Sequence, residues 1–340
     1  MVGYAQHVVH LRIVAPRPLS EQALEMLRET ESVCNVVWLP DAARQPEGDL
    51  LLADVAREEA SVVLSDLKEL GIHKVGSIAL EEVDTQISIH ADRAVEKARG
   101  AVADAVVWEE VESRTSEQVE LSGVFLAFMV LAALIAAVGI FLDSPILIVG
   151  AMVVGPEFGP IAGLCVALVQ RRRSLAWRSF VALAVGFPLA IIVVYLATQV
   201  FKLTGVTPDE FSDADHSLSH LISNPDFFAF FVAVCAGAAG MLSLSTAKSG
   251  ALIGVLISVT TIPAAANIGV AAPYADWAAW RGSMAQLAIN LTSIVVAGTA
   301  TLYFQRFLYY RRRLRHLRDP SRAAAGPTLG HSRRSKRVGV

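Results

Sequence analysis

The 340 residues would make two ordinary domains, but 54% hydrophobic residues, 18% charged residues and a mean hydropathy of +0.50 do not fit two water-soluble ones, which carry about 25% charged residues. Residues 1–120 hold 23 acidic and 11 basic side chains, net −12, whereas residues 306–340 hold 11 basic residues against Asp319 alone. The chain therefore reads as an acidic soluble head, an apolar membrane body and a basic tail, and its pI of 6.3 averages opposites.

Boundaries follow at 1–89 for the head, 90–118 for a linker helix, 119–307 for a transmembrane domain and 308–340 for a basic tail expected to be disordered. The N-terminus has no basic stretch followed by an apolar run, so no cleavable signal peptide is expected and the first span directs targeting. Cys34, Cys165 and Cys235 lack paired or metal-type spacing and read as reduced, structural thiols.

In the head, His7 to Ala15 alternates as a strand does, and Ser20 to Thr30 places Ala23, Leu24 and Leu27 on one helical face with Ser20 as N-cap. Val33 to Leu39, ending at Pro40, and Asp49 to Ala56 read as strands. Ala60 to Leu70 is a helix stopped by Gly71, and Lys74 to Ile89 is extended. The order βαββαβ predicts an α+β, ferredoxin-like sandwich. His7, His10, His73 and His90 sit singly, without ligand spacing, so no metal site is expected, and no phosphate loop or nucleophile motif appears. Such a head is regulatory or assembling, with a small-molecule ligand conceivable, rather than catalytic.

Ala91, Ala94, Val95, Ala98, Ala101, Val102, Ala105 and Val106 form the small-residue stripe of an amphipathic helix, suited to close packing and homo-oligomer formation. Thr115 and Gln118 resemble a capping box at the first span. Six apolar stretches then reach the roughly 20 residues that a crossing needs: 121–142, 145–169, 176–201, 227–247, 250–271 and 283–305. Arg171 to Arg173, Lys248 and Arg311 to Arg315 fall after alternate spans, which puts both termini in the cytoplasm of a multi-pass protein of the cell (plasma) membrane. Tyr274, Trp277 and Trp280 suit one interfacial belt, and Trp177, Tyr303, Tyr309 and Tyr310 the other.

Spans two and five carry the chemistry. The second contains Gly155-Pro156-Glu157-Phe158-Gly159-Pro160, and the fifth contains Ser258, Thr260, Thr261, Pro263 and Asn267. Each is the middle of three spans, as a 3+3 inverted repeat requires. Proline removes an amide donor, so Pro156, Pro160 and Pro263 should bend or break these helices, and freed backbone groups are tolerated only inside protein or along a watered cavity. A simple kink is the competing reading. A charge at mid-bilayer costs about 2.5–3.5 kcal/mol on insertion scales, so Glu157 is expected in a binding or proton-relay role unless a re-entrant bend carries it to an interface. Asp143 and Arg281 read as helix-end caps, whereas Ser258, Thr261 and Asn290 are interhelical hydrogen-bonding residues that would also line a cavity.

Gly150-Ala-Met-Val-Val-Gly155-Pro156-Glu157-Phe158-Gly159-Pro160 resembles the G-A-M-x-x-x-P-x-x-G-P core of the uncharacterised membrane proteins grouped as domain of unknown function 389. The Lys248-Ser-Gly-Ala-Leu-Ile-Gly-Val stretch is similar to theirs too, although Ile262-Pro263 stands where a proline pair is expected. The resemblance covers roughly residues 121–304 and implies the architecture, but no established activity.

Three functions compete. A transporter or channel for a small solute or ion, with a regulatory or oligomerising head, uses the paired interruptions and Glu157. A non-transporting sensor or scaffold would place function in a ligand- or protein-binding head, but six interrupted spans are excessive for an anchor. An intramembrane enzyme lacks a second acid, an H-E-x-x-H pair or a Ser–His constellation. No enzyme activity, cofactor or nucleic-acid partner is expected; membrane lipid surrounds the body, and for the basic tail three uses compete, holding anionic headgroups, docking onto the acidic head or setting orientation, the last of which suffices for Arg311 to Arg318.

Overall fold

The computed structural model describes residues 8–83, 88–97, 111, 115, 119–207, 211, 216–245 and 260–316. The chain divides into two compact units, one built on the residues up to Glu109 and one mainly on residues 110–305.

The first unit holds β1 (Val8–Ala15), α1 (Arg17–Glu29), β2 (Val33–Arg44), β3 (Glu47–Ala56), α2 (Arg57–Glu69), α3 (Ile72–Val75), β4 (Ser77–Glu82) and α4 (Ile89–Lys97). The four strands form one antiparallel sheet in the order β2-β3-β1-β4, the split β-α-β connectivity that the sequence predicts. Leu11 pairs with Ala53 on one side and Leu80 on the other. Because side chains alternate along a strand, Leu11, Ile13, Leu51 and Val55 share the face that packs on Leu27 and Leu67.

Local boundaries depart from expectation where proline and turns intervene. α1 starts at Arg17 after Pro16, with Pro18 in its first turn, so Ser20 is not the N-cap. Its buried hydroxyl instead donates to Asp49 on β3 and to the Arg17 carbonyl, at 2.9 Å for the latter. Asp49 also accepts from the Trp38 indole at 3.1 Å and the Asp41 amide at 2.9 Å. Burial alone would push its carboxyl up, but the Ser20, Asp41 and Trp38 hydrogen bonds and the Arg17 charge outweigh it and hold the group below the ordinary range. β2 continues past Pro40 through an irregularity between Leu39 and Ala43, as an edge strand allows. The 74–89 stretch is extended only over Ser77–Glu82, between α3 and α4. α4 packs on β2 and β3 with Ala91 and Ala94 buried, and the stripe beyond Lys97 lies outside the described residues.

In the second unit, α5 (Gly123–Phe141) is capped by Ser122, which accepts from the Phe125 amide at 3.1 Å. Ser122 thus opens the first span; Thr115 is itself helical and donates to the Val111 carbonyl, and Gln118 lies outside the described residues. α6 (Pro145–Val154) and α7 (Phe158–Gln170) meet at a 52° bend. α8 (Arg173–Leu203), the short α9 (Ser217–Ser223), α10 (Phe227–Ser245), α11 (Thr261–Ala271) and α12 (Trp277–His316) follow. The small residues Ala132, Ala133, Ala136 and Ala137 repeat along α5 and let α6, α8 and α11 approach it. Phe128 and Leu131 on α5, and Ile192 and Leu196 on α8, face outward, as a lipid-facing surface requires.

Among the described residues, α5, α8, α10 and Trp277–Leu308 are long and apolar enough to cross a membrane, and the bent α6–α7 pair brings the number to five. The described residues thus show up to five of the six expected spans. The 145–169 stretch is two helices, and of 250–271 only the second part, α11, is described. α12 runs well beyond 283–305 at both ends, and the tail after His316 lies outside the described residues.

Candidate functional site at the break between α6 and α7

The break is made by Gly155, Pro156 and Glu157. Gly155 ends α6 with extended backbone, φ −62° and ψ 127°, and Glu157 is the residue before α7. Pro160 is then the third residue of α7, and Pro263 the third residue of α11. Neither sits in a helix interior, so the break expected of the second span is present and the simple kink is not what these prolines make. First-turn amides have no intrahelical acceptor, so proline there costs no hydrogen bond. The two helices begin alike, as Glu157-Phe-Gly-Pro160 and Thr260-Thr-Ile-Pro263.

Glu157 is 5% exposed. Its Oε1 accepts from the Thr261 hydroxyl at 2.8 Å, and its Oε2 is buried with no hydrogen-bond partner among the described residues. The carboxylate folds back over Gly155. A Cβ at that position would stand 2.3 Å from Oε2 and 2.8 Å from Cγ1 of Ile262, so only glycine leaves room. Next to Thr261, the Thr260 hydroxyl accepts from Asn290 Nδ2 at 2.9 Å and Gln286 Nε2 at 3.4 Å, and Gln286 also donates to Asn290 Oδ1 at 3.1 Å.

Of the sequence candidates, Gly155, Glu157, Gly159, Pro160, Thr261 and Pro263 are buried at the two helix starts, with Pro156 and Thr260 half-buried beside them and Asn290 reaching in from α12. Asn267 is buried elsewhere: about two turns along α11, it accepts from Ser219 at 3.0 Å and donates to Ser283 at 2.9 Å. Ser258 lies outside the described residues. Every residue of α11 is buried. Asp143 is a cap, as expected, but of α9, accepting from the Ser217 hydroxyl at 2.6 Å and the Leu218 amide at 2.9 Å. Arg281 Nε donates to the Trp277 carbonyl at 3.1 Å in the first turns of α12.

Sequence reading missed Gln286, Ser283 and Ser293, all buried on α12 with Asn290. The signal was present: 283, 286, 290 and 293 recur at intervals of three and four, a polar stripe along one face of an otherwise apolar helix. Such a stripe must face protein or water, since lipid offers its groups no partners.

These features define a multi-pass membrane protein with a buried, polar, discontinuous interior. Residues 152–296 match the model of the family described as Domain of unknown function (DUF389), in agreement with the resemblance carried by the second span. The chain is similar to an uncharacterised protein of Methanocaldococcus jannaschii, 25% identical over 198 residues. That match covers 57% of this chain and 59% of the relative, so the chain spans less than two thirds of its length. No solved structure matches.

Proposed function

We propose that the protein is a transporter or channel for a small solute or ion, residing in the plasma membrane with both termini cytoplasmic. In this reading the 250–271 stretch completes six spans in a 3+3 inverted repeat, and the ferredoxin-like head regulates the pore or assembles subunits. The observation that carries the reading is the buried Glu157 at a helix break, bonded to the first residue of a second helix that starts the same way. Broken helices whose ends meet around unspent polar groups are the usual construction of solute and ion sites in membranes. Homo-oligomer formation is supported by β2, an edge strand that leaves Val37 and Leu39 exposed. No enzymatic step, metal or cofactor enters the proposal, and lipid surrounds the body.

The test is accessibility. Thr261→Cys and Asn290→Cys are introduced singly after Cys34, Cys165 and Cys235 are replaced by serine, and the protein in vesicles is treated with a membrane-impermeant thiol reagent from either side. A water-filled pathway makes both positions react from at least one side. Silence from both sides, in protein that inserts and remains monodisperse, overturns the proposal and moves function to the head.

A further inference from the structure

α7 has 13 residues and α11 has 11, and both present their N-termini at Glu157. A helix N-terminus acts as about half a positive charge and a C-terminus as about half a negative one, so the two starts outweigh the end of α6 at the same break and leave it net positive. They also supply first-turn amides with no acceptor inside their own helices, those of Phe158 and Gly159 from α7 and of Thr261 and Ile262 from α11. This is the electrostatics of an anion site. The negative charge that stands there is the protein's own, because the Glu157 carboxylate accepts from Thr261 at the start of α11.

The arrangement is incomplete with Glu157 ionised. Its charge suits the helix starts, but Oε2 has no hydrogen-bond partner among the described residues, and the side chain makes no capping bond to the amides of α7. Protonation reverses both conditions. Oε2–H becomes a donor, the carboxyl becomes neutral, and the net positive charge of two helix starts against one helix end is left uncompensated. A small anion arriving with that proton takes hydrogen bonds from the carboxyl O–H and the first-turn amides and restores the balance of charge.

Among the described residues no other charged side chain competes for this part. α5, α6, α7, α10 and α11 carry none. On α8 the charges are Arg173 and Arg178 near its start and Lys202 near its end, and Lys202 donates to the Pro273 carbonyl at 3.4 Å. On α12 they are the exposed Arg281 and, among described side chains, Arg306, twenty residues beyond Gln286. Of the other titratable groups, the Cys165 thiol on α7 donates to the Val295 carbonyl, and Tyr195 on α8 is exposed, accepting from Gln199.

We propose that the break binds one small monovalent anion together with one proton, the proton residing on Glu157, and that ionised Glu157 takes the anion's place when both leave. This rests on the pathway proposed above and names its substrate class. Coupling follows from exclusion: two negative groups do not share one pair of helix ends, so anion affinity rises whenever Glu157 is protonated.

The experiment uses the full chain in detergent, with chloride or nitrate replacing gluconate at constant ionic strength, and reads thermal stabilisation as a function of pH. Above the pH at which Glu157 titrates, apparent anion affinity falls about tenfold per pH unit, as one linked proton requires. In Glu157→Gln, which cannot ionise, the affinity becomes independent of pH. In vesicles, an inward chloride gradient acidifies the lumen with the unaltered protein and not with Glu157→Gln. Should Glu157→Gln fail to fold, Thr261→Val serves. Removing the hydroxyl that supports the ionised carboxylate moves the onset of the affinity loss to higher pH. Anion affinity independent of pH in the unaltered protein, stabilisation by sodium instead of the anion, or no stabilisation by either overturns the inference. Reactive cysteines at 261 and 290 alongside any of those results leave the pathway standing, whereas silent ones remove both.

Discussion

Asp49 anchors the head, and removing it gives the most direct check on the fold. Its carboxylate accepts from the Ser20 hydroxyl, the Trp38 indole and the Asp41 amide, tying α1 and β2 to β3. Hydrogen bonds to a charged group are worth about 1.5–3 kcal/mol each, and donors left without partners cost more where water cannot reach them. Ser20 is fully buried, whereas Trp38 and Asp41 keep access to water. Asp49→Ala should therefore cost about 3 kcal/mol, less than the sum of three such bonds. Hydrogen exchange of the β1 and β3 amides in the full chain reads this locally. At about 1.4 kcal/mol per factor of ten, protection at pH 7 should fall about 150-fold. The pH dependence has a definite sign. The folded carboxyl lies below its ordinary 3.8, so its contribution is present above that value and is lost as pH falls through the folded value. The gap between unaltered and variant protein should narrow toward strong acid. Protection within threefold at pH 7, or a gap that widens in acid, would refute the assignment.

Three further perturbations test separate parts. Gly155→Ala places a Cβ 2.3 Å from Glu157 Oε2 and should push the carboxylate off Thr261. Thr261→Val then costs about 0.6–1.7 kcal/mol in the unaltered background and close to nothing beside Gly155→Ala; equal costs in both would sink the geometry. Gly282→Ala puts a Cβ 1.8 Å from the Ser223 carbonyl oxygen, a backbone atom that cannot rotate away. The expected loss of about 3 kcal/mol lowers the midpoint of thermal unfolding by roughly 6–12 °C, and a midpoint within 2 °C contradicts the close approach of α12 to the end of α9. Burial, and next to it the Asp54 charge, pushes the Cys34 thiol up to about 11. Maleimide labelling of Cys34 at pH 7.5 should be at least about a hundredfold slower than that of a free cysteine near 8.5; labelling at the free rate disproves the half-buried, anion-facing environment.

Periodicity carried most of the architecture. Two-residue alternation in β1 and β3, and three- and four-residue spacing in α1 and α2, depend on neighbours along the chain, and the structure places them where the pattern does. Residues with two uses were illegible. A serine ahead of an apolar helix reads as an N-cap, but Ser20 spends its hydroxyl on a carboxylate 29 residues away, a partner that only strand pairing brings near. Ser122 was the true cap of the first span and was hidden by a better-looking motif at Thr115. The polar stripe on α12 was visible in spacing, but each member alone looks like ordinary interhelical glue. What gives Gln286 and Asn290 their meaning is Thr260, which they reach only because α11 begins there.

The prolines show why the site and the break are one feature. A helix continued from α6 into α7 would hold Pro156 and Pro160 in its interior, each removing a hydrogen bond and colliding with the carbonyl four residues back, at about 3 kcal/mol apiece. Ending α6 at Val154 and restarting at Phe158 lets Pro160 stand in a first turn, where its missing amide has no acceptor to lose. The restart leaves the amides of Phe158 and Gly159 without intrahelical partners, and the same logic at Pro263 leaves those of Thr261 and Ile262. Bringing both starts together gathers positive helix ends that lipid cannot solvate, so a negative group must accompany them. Glu157 supplies that group within the same three residues that make the break, which is why its carboxylate can neither be an ordinary surface charge nor be exchanged for glutamine without consequence.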